Sequence, residues 1–391
     1  MVERSAPPGR ALARWLALAT PYRVANFLVP IAITYVVGAR LGYATASGLA
    51  ALVPLGEVGA LALLAVPFVA AASLPSRLGL MTCAAALLAA VTVGAPLALG
   101  AVGAFGVGAA ATLVTGELRR NLTDRLDPSD RGRAFAIDSV AQELTWLGAP
   151  LVASVLVVVG LRPLLLDLVA LAGLVATVGA LRYRTRPHID QRALPHRLRR
   201  GTWLWVLSAL EGVLEGGAVL LAVPLAVHWL RSSPLGGVAL TAMSVGSVAS
   251  GVVYTRIWSH RPARVSTLAA LVLGLGAALA AWGLSAPAAW LWLATSVAAG
   301  IAIAPINALR VGLVPTMFAP NELTSAFSVL YASYSIGWTA AGLAAALLLP
   351  RLGARELTWL FAGVGVALAT LVWLTNRRSP AAPGPSPSPT P

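Results

Sequence analysis

Apolar runs recur from residue 24 almost to residue 376, separated by short clusters of Arg, Gly and Pro. A bilayer core is crossed by about 20 residues of helix, and the runs are long enough to do so. Breaking the pattern at charges and Gly/Pro turns predicts twelve helices, at 22–40, 45–72, 77–97, 100–119, 134–160, 162–182, 203–229, 234–256, 263–284, 287–314, 322–349 and 354–376. Turns are placed around Gly100 and Ser285. Pro30, Pro54, Pro150, Pro224 and Pro305 fall inside these spans, where they introduce kinks or local unwinding.

The longest polar interruption, "RYRTRPHIDQRALPHRLRRG" (182–201), falls near the middle of the chain. It divides the sequence into a first six-helix bundle at 1–182, an Arg-rich linker at 183–202, a second six-helix bundle at 203–376 and a Pro/Ser tail at 377–391. The tail, "SPAAPGPSPSPTP", has no large apolar residue with which to build a core and is expected to be disordered. The N-terminus, "MVERSAPPGRALARWLALATPYR", has a basic start, a short Arg-interrupted apolar run and no small-residue cleavage site. It reads as an uncleaved approach to the first helix.

Composition narrows the class. Hydrophobic residues make up 58% of the 391 residues and charged residues 11%, against about 25% charged in soluble domains. The expectation is an all-α membrane protein of the plasma membrane, with no sizeable soluble domain. The net charge of +14 comes entirely from Arg, placed mostly between apolar segments. That is topology-setting charge rather than a nucleic-acid footprint. With the N-terminus inside, inside segments hold 23 Arg and outside segments 5. Both termini are therefore predicted to be cytoplasmic. One cysteine, Cys83, and four scattered His give no disulfide, metal-ligand spacing or cofactor site.

Two equal halves invite a search for a repeat. At an offset of 192 residues, "AFAIDSVAQELTWLGAPLVASVL" (134–156) lies over "AFSVLYASYSIGWTAAGLAAALL" (326–348), which makes helix 5 equivalent to helix 11. A weaker match sets "LVPLGEVGA" (52–60) over "TAMSVGSVA" (241–249).

Twelve helices, a basic central loop and parallel halves resemble the major facilitator superfamily. "LRRNLTDRLDPSDRGRAFAIDSVAQELTWLGAPLV" (118–152) is similar to the helix 4 to helix 5 passage of its actinobacterial-type efflux members. "IAPINALRVGLVPTMFAPNELTSAFSVLYASYSIGWTAAGLAAALL" (303–348) is similar to their helix 10 to helix 11 passage. The superfamily's cytoplasmic latch, close to G-x-x-x-D-R-x-G-R-R, is eroded here: "AVPFVAAASLPSRLGLM" (65–81) keeps Arg77 and Gly79, and "GVVYTRIWSHRPAR" (251–264) keeps Gly251, Arg256 and Arg261 but no acid. The proton antiporters' Arg within helix 4 is missing, and helix 5 offers only Gly148-Ala149-Pro150. The resemblance implies a secondary transporter working by alternating access, with a small-molecule substrate, the bilayer and protons as its partners.

An ionisable side chain inside a span costs a few kcal/mol and so needs a partner, a wet cavity or a task. Helix 7, "SALEGVLEGGAVLLAVP" (208–224), carries Glu211 and Glu215 one turn apart on one face. At about 1.5 Å per residue, Glu215 lies about 18 Å in from residue 203, near the midplane of a core about 30 Å thick. Two neighbouring buried carboxylates cannot both ionise cheaply, which makes them proton-coupling candidates. The plainer alternative has Glu211 bonded to linker arginines and Glu215 to a helix 11 hydroxyl.

Glu57, Gln142, Glu143, Asn307, Tyr331 and Tyr334 are substrate-cavity candidates. Arg77, Arg133, Asp138 and Arg256 are cytoplasmic gate candidates. Glu57, between Gly56 and Gly59, suits either the cavity or close helix packing. Asp138 also suits a helix-terminal partner of nearby Arg. Arg310 is read as snorkelling to the interface rather than binding an anion. Net acidity of the candidate cavity favours a cationic solute, and the resemblance implies export of an amphipathic or cationic molecule by proton antiport. An importer or uniporter of a neutral solute and a non-transporting membrane partner are the rival readings.

Overall fold

A computed structural model describes residues 8–63, 72–125, 128–181, 201–257, 264–318 and 323–376. The linker segment 183–200 and the tail 377–391 lie outside the described residues, so nothing tests those two boundaries.

The described residues form twelve long helices and one 3-10 turn, Ala90–Val93. The helices are α1 (Pro8–Leu41), α2 (Tyr43–Leu63), α3 (Leu74–Ala89), α4 (Leu97–Arg125), α5 (Pro128–Val158), α6 (Leu164–Leu181), α7 (Thr202–Leu230), α8 (Ser233–Ile257), α9 (Val265–Ser285), α10 (Ala289–Met317), α11 (Leu323–Leu352) and α12 (Ala354–Asn376). Each contains a stretch long and apolar enough to cross a membrane. Helices satisfy every backbone group internally, which hydrocarbon demands.

Residues 181 and 201 flank the linker and mark one face of the molecule, which alternation of the spans also gives to both chain ends. We call this the linker face and the opposite one the far face. Turns at the far face are tight. Gly42, Gly94, Gly160 and Gly353 all take left-handed backbone there, at φ 87°, 96°, 79° and 88°, which costs glycine nothing. The turn predicted at Gly100 is thus made at Gly94. At the linker face the helices overrun the predicted limits: α1 starts at Pro8 rather than 22 and α4 runs to Arg125 rather than 119. Arg23, predicted at the mouth of helix 1, therefore lies inside the first span and is buried.

Each half repeats one packing scheme. In the first, α1 packs on α5 and α6, α2 on α4, and α3 on α4 and α6. In the second, α7 packs on α11 and α12, α8 on α10, and α9 on α10 and α12. The halves meet mainly through α2 against α11 and α5 against α8. Adding six to every helix number exchanges these two seams, as a duplicated chain requires. The fold is two six-helix bundles side by side.

Candidate functional site

Both seams are closed from the far face to mid-depth. Between α5 and α8, Ser154 Oγ donates to Pro234 O at 3.0 Å, and Tyr35 of α1 donates to Ser233 O at 3.1 Å while accepting from Gly237 N at 2.9 Å. Ser244 Oγ donates to Trp146 O at 3.4 Å one layer deeper. Between α2 and α11, Gly48 faces the Ala346 methyl and Gly342 faces the Ala51 methyl, so closely that an added Cβ on either glycine would crowd its partner. Small residues permit that approach in a membrane, where packing replaces the hydrophobic effect between helices.

The deepest of these described contacts in both seams involve carboxylates. Ser335 Oγ of α11 donates to Glu57 Oε2 of α2 at 2.5 Å. Ser247 Oγ of α8 donates to Glu143 Oε2 of α5 at 3.1 Å. Glu57 is fourteen residues below the far end of α2 and Glu143 fifteen below that of α5, about 21 and 22 Å at 1.5 Å per residue. Glu215, fifteen residues below the far end of α7, sits at the same level, about 22 Å down, and within electrostatic reach of Glu143. The three acids form a belt where the halves meet.

The second half adds a buried charge cluster. Glu215 accepts a short hydrogen bond from the Tyr334 hydroxyl. Arg310 Nη1 lies 3.0 Å from Glu211 Oε2, at an angle outside that of a hydrogen bond, and donates to Ser208 Oγ at 3.1 Å. Its Nη2 donates to Asn307 Oδ1 at 2.6 Å. The guanidinium carbon stands 4.6 Å from the Tyr334 ring centroid and 5.8 Å from that of Tyr331. Arg310 is 5% exposed and Glu211 0%. Arg310 does not snorkel: it sits about 10 Å inside α10, where a buried carboxylate, two polar side chains and an aromatic face replace its hydration. Glu211 pairs with Arg310, so its expected alternative partners, the linker arginines, are not needed to neutralise it. For Glu215 the helix 11 hydroxyl of the plainer alternative is the one observed.

Two glycines set this geometry. At Gly212 an added Cβ would collide with Tyr334 O, and at Gly337 with Ala209 O. The α7 and α11 backbones touch there, which brings Tyr334 against Glu215.

The predicted sites thus divide. Glu57, Glu143, Glu211, Glu215, Asn307, Tyr331 and Tyr334 fall in the belt or the cluster, and Gln142 is half-buried beside Glu143. Arg77 lies at the linker end of α3, donating to Leu113 O at 2.9 Å and pairing at 3.3 Å with Glu117 of α4. The acid for this arginine comes from a neighbouring helix rather than from the loop. Arg256 is exposed at the end of α8. The side chains of Arg133 and Asp138 lie outside the described ones. Sequence reasoning missed Glu117, Ser208, Ser247 and Ser335. Its own 192-residue register held one signal: it sets Glu143 over Ser335, the acid of one seam over the hydroxyl of the other.

Residues 204–390 match the family profile described as Major Facilitator Superfamily. No curated protein sequence matches the chain. Among solved structures, nucleoside transporter NupG superposes with a TM-score of 0.72 at 14% identity, covering 95% of this chain and 100% of that one. A POT peptide transporter in complex with alafosfalin gives 0.74 at 12%, covering 94% of each chain. A bacterial homologue of the human lysosomal transporter Spinster, in an inward-facing and unoccupied conformation, gives 0.66 at 16%, covering 95% and 99%. Such low identities establish the fold alone.

Proposed function

We propose, from the match of residues 204–390 to the Major Facilitator Superfamily profile and the fold shared with solved transporters, that this chain exports a small amphipathic or cationic solute across the plasma membrane in exchange for protons. As a multi-pass membrane transporter rather than an enzyme, it needs a binding site reachable from one side at a time. The solutes named for the similar structures, nucleosides and peptides, do not choose a solute for this chain. Its own acids do.

The observation that carries the reading is the belt of Glu57, Glu143 and Glu215 at one depth between the halves. The one described cation beside it, Arg310, is already matched by Glu211. Unscreened carboxylates at the midplane are costly, so they must hold protons or a cation. Glu215 is the proton carrier in this reading, poised by the Tyr334 hydroxyl and next to the Glu211–Arg310 pair. Proton and cationic solute then compete for the same negative site, which is the essence of exchange. Tyr331 and Tyr334 supply ring faces for an amphipathic body.

The test is proton movement in inverted vesicles from an efflux-deficient host during addition of cationic and neutral amphiphiles. Cation-evoked proton release with the wild type, and none with Glu215→Gln, is the expected result. An equal response from both removes Glu215 as the carrier, and no response from the wild type removes coupled export.

A further inference from the structure

The belt acids differ in where their partners live. Glu215 and Tyr334 both belong to the second half, as do Glu211 and Arg310. Rocking one half against the other leaves these contacts whole. Glu57 and Glu143 belong to the first half, and their hydroxyl donors Ser335 and Ser247 to the second. Among the described acids, these two alone change partner when the seams part. A group can bias a two-state equilibrium only through contacts that differ between the states.

The two bridges are also equivalent. The 192-residue register places Glu143 over Ser335, and the weaker match of 52–60 over 241–249 places Glu57 within one residue of Ser247. One bridge closes the α2–α11 seam and the other the α5–α8 seam, at matching depths and at the linker-side limit of the described far-side contacts. Both serines are buried.

We propose that Glu57–Ser335 and Glu143–Ser247 are a symmetry-related pair of gate bolts that hold the far side shut and are released together. Parting the seams strips each carboxylate of its hydroxyl, so a proton or a cationic group must take its place. Glu57 and Glu143 thereby become binding acids of the far-side-open state. This last step rests on the transport reading above, whereas the bolts themselves do not.

The gate is tested without transport. In a Cys83→Ser background, Ala51→Cys places a thiol within the α2–α11 seam, and a membrane-impermeant maleimide is applied from the far side of proteoliposomes. Membrane hydrogen bonds of this kind are worth about 0.6 kcal/mol, so Ser335→Ala and Ser247→Ala are each expected to speed labelling about threefold, and together about eightfold. Ser335→Thr and Ser247→Thr, which keep the hydroxyl, are expected to label like the parent and exclude misfolding as the cause. A double alanine variant that labels within twofold of the parent overturns the proposal. So does an effect carried wholly by one serine, which removes the symmetry. If the gate result holds while the proton assay above fails, the transport reading alone is lost.

Discussion

Arg310 is the residue on which the second half's charge balance depends. Removing a single partner of a buried ion pair strands the other charge, at a cost of about 3–5 kcal/mol. Arg310→Met is therefore expected to lower the unfolding temperature in detergent sharply, and Arg310→Met with Glu211→Gln to recover most of the loss. A double variant no better than the single one would show that Arg310 serves Ser208, Asn307 and the tyrosine rings more than Glu211. Tyr334→Phe keeps the ring beside Arg310 but removes the donor to Glu215, and is expected to cost about 1–3 kcal/mol in the same measurement. The acids themselves were legible from sequence, because a carboxylate in an apolar run stands out. Their partners were not: Ser208, Ser247 and Ser335 are ordinary residues in helices rich in small side chains, and no local pattern tells a serine facing an acid from one bonded to its own helix. Arg310 was misread for a related reason. Its distance from the helix end fits snorkelling, and only the turn that α7 presents to it reveals a buried pair.

Glycine decides how closely elements approach, and its effects separate cleanly by position. Gly212 and Gly337 lie where α7 and α11 backbones touch. Gly212→Ala must push α11 away and take Tyr334 with it, so a loss of about 1–3 kcal/mol is expected, with weaker transport from the displaced hydroxyl. Gly148 in α5 has nothing within 4 Å of an added Cβ, and Gly148→Ala is expected to gain about 0.5–1 kcal/mol from helix propensity alone. Opposite signs in two thermal melts check both. Helix number and order were readable because a membrane admits few alternatives to a long apolar helix. Helix limits were readable in the second half and at most far-face turns, the one at Gly94 excepted, and poorly at the linker face of the first half. There α1, α4 and α5 continue past the apolar run into polar sequence, which hydropathy reads as loop. That error hid Arg23 within the first span.

At the scale of the whole molecule, the arginines predict orientation and the seams predict motion. Burial of Arg23 and Arg310 removes both from the face charges, yet the linker face keeps a large excess over the far face. A reporter fused after residue 376 is expected to read cytoplasmic, and a periplasmic or extracellular signal would invert the proposed direction of export. Alternating access then requires the far-face seams to open and close. A Cβ built on Gly48 of α2 would lie 3.3 Å from the Ala346 Cβ of α11, close to the separation of about 3.5–4.5 Å that a disulfide spans. With Cys83→Ser, the Gly48→Cys and Ala346→Cys pair is expected to cross-link on mild oxidation, joining the halves across one seam. If the halves rock, the oxidised protein binds solute from the linker side but moves none across, and reduction restores flux. Full flux through the cross-linked protein would mean that the α2–α11 seam stays shut throughout the cycle, so that any passage must open along the α5–α8 seam alone.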